Sequence, residues 1–181
     1  SAYPNLAAPA ENADALIQTG FNVINLATNH TLDKGIKGLE TCLENVHARP
    51  FEAVLGAFRN EEEAAQLCIL EKQGIHVIHS ENIHDPHDVN AYQRSRKTAS
   101  QLLQEAPAAI SFGFLSYTYG LNGYQLPKDK LWKVSLIDEA KITADLAAIR
   151  PACDYLIVSM HWGNEYQTSE SDYQNQLAQL L

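Results

Sequence analysis

Apolar residues along this chain switch repeatedly between helical spacing and short unbroken runs. Pro9 to Thr19 places Ala13, Leu16 and Ile17 on one helical face, and Gly20 is a good terminator. Phe21 to Leu26 then gathers Phe21, Val23, Ile24 and Leu26, the pattern of a parallel strand buried on both faces. A loop over Thr31 to Gly35 leads into a second predicted helix, Ile36 to His47, with Ile36, Leu39, Leu43 and Val46 in register. Pro50 breaks it, Val54 to Phe58 reads as a short strand, and Asn60 caps an acidic turn through Glu61, Glu62 and Glu63. Leu67 to Leu70 and Ile75 to Ile78 read as a hairpin turning at Gly74. A polar loop from His79 to His87 follows. Asp85-Pro86 then opens a helix to about Glu105 that buries Val89, Tyr92, Ala99, Leu102 and Leu103.

Ile110 to Tyr117 is the next predicted strand, continuing into a loop rich in Tyr, Gly and Asn through Tyr124. Lys133 to Ile137 reads as a further short strand. Asp138 caps a helix with Ile142, Leu146 and Ile149 on one face, and Pro151 stops it. Asp154 to Met160 is an apolar core strand ending at His161. Ser169 or Ser171 caps a last helix carrying Tyr173, Leu177, Leu180 and Leu181. Strands alternating with helices, with no repeat, low-complexity tract or linker, predict one α/β domain over residues 1–181.

Two of the predicted core strands deliver an imidazole at their C-terminal ends: Asn29-His30 after the first, His161 after the last. Ligands of α/β sheets bind beyond the carboxyl ends of strands, so the pattern suits a metal or acid/base site. The plainer reading has Asn29 capping a turn, His30 hydrogen-bonded within its loop, and His161 satisfied at a strand end. Tyr117, Tyr119 and Asn122 line a substrate cleft in one reading and serve as packing residues in the other. His79, His84 and His87 form a cluster, but with no cysteine nearby and loop-like flanks they lack the closed ligation of a structural site. No G-x-S-x-G elbow, phosphate loop or dinucleotide fingerprint occurs.

Composition narrows this further. The 181 residues are 45% hydrophobic and 19% charged, which is globular usage. The formal net charge of −9, without a Lys/Arg cluster, excludes nucleic acid as a partner. The acidity is compatible with a bound divalent cation, or with a simple solvated surface. Cys42, Cys68 and Cys153 are widely spaced, form no C-x-x-C, and are expected as buried free thiols. No apolar run has the length of a membrane span and no signal peptide is visible. The chain enters its first helix without a preceding strand and stops on Leu180-Leu181, which leads to the expectation of a domain incomplete at both ends.

The segment Asn25 to Gly35, reading Asn-Leu-Ala-Thr-Asn-His-Thr-Leu-Asp-Lys-Gly, resembles a signature segment of the bacterial poly-γ-glutamate capsule biosynthesis (CapA-type) proteins. Phe114 to Gly123, Val158 to Tyr166, Ala13 to Leu16 and Gly56 to Asn60 resemble the same family, in order. The resemblance implies a metallophosphatase-like αββα sandwich: two packed β-sheets flanked by helices, with a metal centre at the strand ends. The family's opening Gly-Asp motif with its nearby His, its Asn-Leu-Glu motif and its closing Gly-His-His-Pro-His loop do not occur. Residues from about 76 to 109 intervene where the family runs directly into the Ser-Tyr-Thr-Tyr-Gly strand, as an insertion or a divergence. The stretch from His47 to Leu55 also fits poorly.

The resemblance also implies a site. Asn29 and His161 are metal ligands, for Mn, Fe or Zn, and His30 is the general acid of a centre whose two ions lie ~3.5–4 Å apart. Glu165 either orients His161 from behind or is a surface residue. The implied setting is the extracytoplasmic face of the bacterial membrane or the cell surface, through an N-terminal anchor outside this chain. The implied partners are an anionic poly-γ-glutamate polymer or a phosphoester substrate, and subunits of a membrane synthase complex. Two function classes remain open. One is metal-assisted hydrolysis of a phosphoester or of the polymer's amide bonds; the other is a non-catalytic module that binds polymer or partners. The missing carboxylate ligands favour the second, since two neutral donors hold a dinuclear centre weakly.

Overall fold

The computed structural model describes residues 6–73 and 109–181. The second strand of the expected hairpin (Ile75 to Ile78), the histidine-bearing loop (His79 to His87), the helix from His87 to Glu105 and all but the last residue of the 76–109 segment lie outside the described residues.

Helix α1 (Glu11–Gln18) leads through a turn at Gly20 to strand β1 (Val23–Asn25). Helix α2 (Gly35–His47) returns the chain to β2 (Ala53–Leu55), which pairs parallel with β1 in a two-stranded sheet. Parallel neighbours need such a crossover. Asn60 caps the short helix α3 (Glu61–Ala64), its side chain accepting from the Glu63 N–H as expected. Strand β3 (Cys68–Lys72) is antiparallel to β4 (Ile110–Thr118). Helix α4 (Glu139–Ile149), capped by Asp138, carries the crossover to β5 (Tyr155–His161), which lies parallel to β4. Helix α5 (Asp172–Leu180) starts with a capping box at Ser171, so Ser171 and not Ser169 is the cap. The architecture is α/β, two sheets flanked by helices, as expected.

Side-chain alternation along β4 and β5 sets the layers. One face carries Leu115, Tyr117, Val158 and Met160, which pack with Ile142 and Leu146 of α4 and Leu177 of α5. The other face carries Ser116 and Ser159, opposite each other in register, and turns toward β1. On the far side of β1 and β2, Leu39 and Leu43 of α2 pack with Leu26, Val54 and Ala57. The order is therefore helix, sheet, sheet, helices.

The sheets meet at Asn25. Its Oδ1 accepts from the Ser116 hydroxyl (2.6 Å) and the Ala27 N–H (2.9 Å), and its Nδ2 donates to Ser159 Oγ (2.9 Å). Lys133 to Ile137, expected as a strand, is instead a splice between the sheets that follows a 3-10 turn over Lys128–Lys133. Ser135 N–H donates to Gly56 O beside the first sheet, while Ser135 O accepts from Thr118 N–H in the second. A segment divided between two sheets cannot form a ladder with either. Gly56 has φ of +79°, and a Cβ there would lie 2.4 Å from Ala27 Cβ. Only glycine permits that approach.

Three expectations need correction. The first strand is shorter than Phe21 to Leu26 and half-buried rather than buried on both faces; Phe21 precedes it and is 57% exposed. In β5, Tyr155 and Ile157 are exposed on the face opposite the α4/α5 core, so this strand is only partly a core strand. The cysteines are free but not buried: Cys42 is exposed, being rotated off the Leu39/Leu43 face of α2, and Cys68 and Cys153 are half-buried.

Candidate functional site

Asn29 follows β1 by four residues and His161 ends β5, and the two side chains meet where the two sheets pack. His161 Nε2 lies 2.9 Å from Asn29 Oδ1, across 132 residues of chain. Asn29 is buried. Its Nδ2 donates to Asn122 Oδ1 at 2.9 Å, and Asn122 Nδ2 lies 3.3 Å from His30 Nδ1. Asn122 thus touches both residues of the Asn29-His30 pair. Tyr119, 47% exposed, stacks on the His161 ring with centroids 6.0 Å apart, and its N–H donates to His161 O.

His30 is held by a turn. Its N–H donates to Thr28 Oγ1, and its Nδ1 lies 2.8 Å from Asp33 Oδ2. Asp33 is buried and also accepts from the Leu6 N–H at 2.8 Å. Burial alone would raise the Asp33 pKa. The Leu6 N–H, the His30 contacts and the nearby Lys34 charge outweigh it, and the carboxyl is held below its ordinary value. Since a carboxylate only accepts, the His30 Nδ1 carries the proton toward Asp33, which leaves Nε2 for other partners. A cavity of about 840 Å³ between α1 and α2 reaches His30 and Asp33 from behind.

Two residues expected near the site lie elsewhere or stand apart. Tyr117 is 1% exposed on the helix-facing side of β4, and its hydroxyl donates to Asp145 at 2.6 Å. Burial, then Asp145, push its pKa far above the ordinary phenol range. Glu165 is exposed in the loop after β5, and the orienting contact on His161 Nε2 comes from Asn29. Sequence reading gave no role to Asp33, Asn25, Ser116 or Ser159. A His-x-x-Asp spacing within one turn was the available signal for Asp33; for the seam residues only strand parity offered one.

Asn29 Oδ1 and His161 Nε2, 2.9 Å apart in a hydrogen bond, are the two donor atoms that would be offered to a divalent ion here, the imidazole through its Nε2 lone pair. Both are neutral. Among the described residues, no group of three or more His, Cys, Asp and Glu side chains is placed to hold an ion.

A two-sheet α/β sandwich with an amide and an imidazole converging at its strand ends defines the class. The whole chain, residues 1–181, matches the bacterial capsule synthesis protein PGA_cap family, and it belongs to that family. It is similar to the "PGA biosynthesis protein CapA" of Bacillus subtilis (strain 168), 25% identical over 171 residues that cover 94% of this chain and 36% of that protein. It is similar also to the "Capsule biosynthesis protein CapA" of Bacillus anthracis, 23% identical over 177 residues, 98% of this chain and 35% of that protein. The chain thus spans about a third of the length of these curated relatives. No solved structure matches it significantly.

Proposed function

We propose that this domain acts in capsule biosynthesis at the bacterial cell surface, where Asn29 and His161 are the neutral part of a divalent-cation site that engages an anionic poly-γ-glutamate chain or a phosphoester. One observation carries the reading: Asn29 Oδ1 and His161 Nε2 converge from opposite ends of the sequence at 2.9 Å. The formal charge of −9 supports a cation between protein and polymer, because a polycarboxylate is otherwise repelled by an acidic surface. A bound divalent ion supplies positive charge to a substrate oxygen. His30, its Nδ1 proton held by Asp33, is then the residue able to pass a proton to a leaving oxygen from Nε2 once that nitrogen is protonated as well. Tyr119 shields one face of His161.

A second reading keeps the binding and drops the hydrolysis. It is favoured by the donor set, which among the described residues pairs no carboxylate with Asn29 and His161. The test is calorimetric titration with Mn²⁺, followed by phosphodiester and poly-γ-glutamate hydrolysis assays on wild type, Asn29→Ala and His161→Ala. The cation reading expects polymer retention that needs Mn²⁺ and is lost in both variants. Hydrolysis that falls in both variants supports the enzyme. Retention without hydrolysis supports the binding module. Equal Mn²⁺ affinity in all three proteins refutes the cation site.

A further inference from the structure

We infer that Asn122 is the positioning residue of this site, setting which atom of the Asn29 amide faces His161; the inference rests on the proposed roles of Asn29 and His161. Asn122 occupies the left-handed region with φ of +51°, a conformation that few side-chain-bearing residues other than Asn and Asp adopt readily. It is followed by Gly123, at φ of +84°. That backbone aims its amide into the site. With Oδ1 of Asn122 accepting from Asn29 Nδ2, Asn29 presents Oδ1, its only acceptor, to His161 Nε2. If the Asn29 amide turned over, its NH₂ would face the imidazole and its oxygen would face Asn122 Oδ1, two acceptors in contact. Asn122 thereby fixes two things: an oxygen, the atom a divalent ion requires, points to the shared position, and a carbonyl meets His161 Nε2. Its Nδ2 lies 3.3 Å from His30 Nδ1, whose proton is directed to Asp33, so the two residues are in contact there without a hydrogen bond.

Glycine at position 122 separates this role from a structural one. It adopts the positive φ without strain but removes the amide, so Asn122→Gly keeps the loop and loses the aim. Asn122→Asp keeps an acceptor for Asn29 Nδ2 and tolerates the same backbone. The readout is the imidazole tautomer from long-range ¹H–¹⁵N correlation of the full chain at pH ~8, where an ordinary imidazole is neutral. The His161 signals are assigned by their loss in His161→Gln. In the metal-free wild type His161 carries its proton on Nε2, donating to Asn29; an ion bound there would take the Nε2 lone pair, with the proton on Nδ1 instead. In Asn122→Gly the expected result is a mixture of the two tautomers, and in Asn122→Asp a return to the wild-type pattern. Mn²⁺ affinity by calorimetry falls by about tenfold or more in Asn122→Gly, the usual effect of losing a group that orients a ligand, and recovers in Asn122→Asp. An unchanged His161 tautomer in Asn122→Gly overturns the inference. So does a pattern in Asn122→Asp as disturbed as in Asn122→Gly, or a metal-free wild-type His161 protonated on Nδ1. A wild type that binds no Mn²⁺ but shows the expected tautomer series refutes the cation site and leaves the positioning role standing.

Discussion

Replacing Asn25 with alanine removes the side chain that joins the two sheets, and its three hydrogen bonds allow the cost to be worked out. Each such bond contributes about 0.5–1.5 kcal/mol net, and a buried polar group left without a partner costs about 1–3 kcal/mol. Ser116 and Ser159 stand opposite each other in β4 and β5, so their hydroxyls are able to bond each other after the loss. The Ala27 N–H has no such recourse, and Ala27 is fully buried. The expected destabilisation is therefore about 2–4 kcal/mol, from the lost bonds and one orphaned donor. For a chain of this size that lowers the melting temperature by about 5–15 °C. Urea and thermal denaturation measure it, and a double-mutant cycle of Asn25→Ala with Ser159→Ala should give a coupling of about 1 kcal/mol. Asn25→Leu combined with Ser116→Ala and Ser159→Ala should cost less than the three separate losses added together, because the amide and both hydroxyls leave together and only the Ala27 N–H stays without its partner. A cost for Asn25→Ala below about 0.5 kcal/mol, the lower end for a single bond, would refute the seam.

Two further outcomes follow from the same region. Gly56→Ala should destabilise by about 2–5 kcal/mol, adding about 1–2 for the left-handed backbone to about 1–3 for overpacking against Ala27; a shift in denaturation midpoint equivalent to less than about 0.5 kcal/mol, the usual range of a neutral surface change, would show that the strands are able to separate there. Asp33 has its folded pKa depressed below 3.8, so its stabilisation is fully present above that value and is lost as pH falls through the lower folded value. The stability gap between wild type and Asp33→Asn should accordingly be present at about pH 4 and close below it; a gap unchanged under more acid conditions would contradict the sign.

Much of this fold is legible in the pattern of apolar positions. The α2 face of Leu39, Leu43 and Val46, the caps at Asn60, Asp138 and Ser171, and the His161 strand end all follow from local chemistry that tertiary contacts do not override. The rest was hidden for a definite reason. Lys133 to Ile137 has strand-like composition, but its backbone is shared between Gly56 and Thr118, residues far apart in sequence. Tyr117 and Tyr119 look equivalent in a run of tyrosines. Strand parity turns the first toward α4 and α5, while the chain leaves the sheet at Thr118 and lets the second fold over His161. Asn29 and His161 are legible as separate strand ends, yet nothing local shows that Asn122 stands between Asn29 and His30.

The seam and the site are mechanically one object. Ser159, which Asn25 grips, precedes His161 by two residues on β5, and Asn25 precedes Asn29 by four. Two residues of strand span ~7 Å. Over that lever a ~5° tilt of one sheet on the other moves the imidazole by ~0.6 Å, more than the ~0.5 Å that a binding constellation tolerates. The 2.9 Å contact between Asn29 and His161 therefore depends on the angle between the sheets, which Asn25 and the Ser135 splice fix from two sides. That places polar residues where an apolar seam would pack as well: Asn25, Ser116 and Ser159 have directional bonds, and direction is what two side chains drawn from two sheets require in order to meet at 2.9 Å.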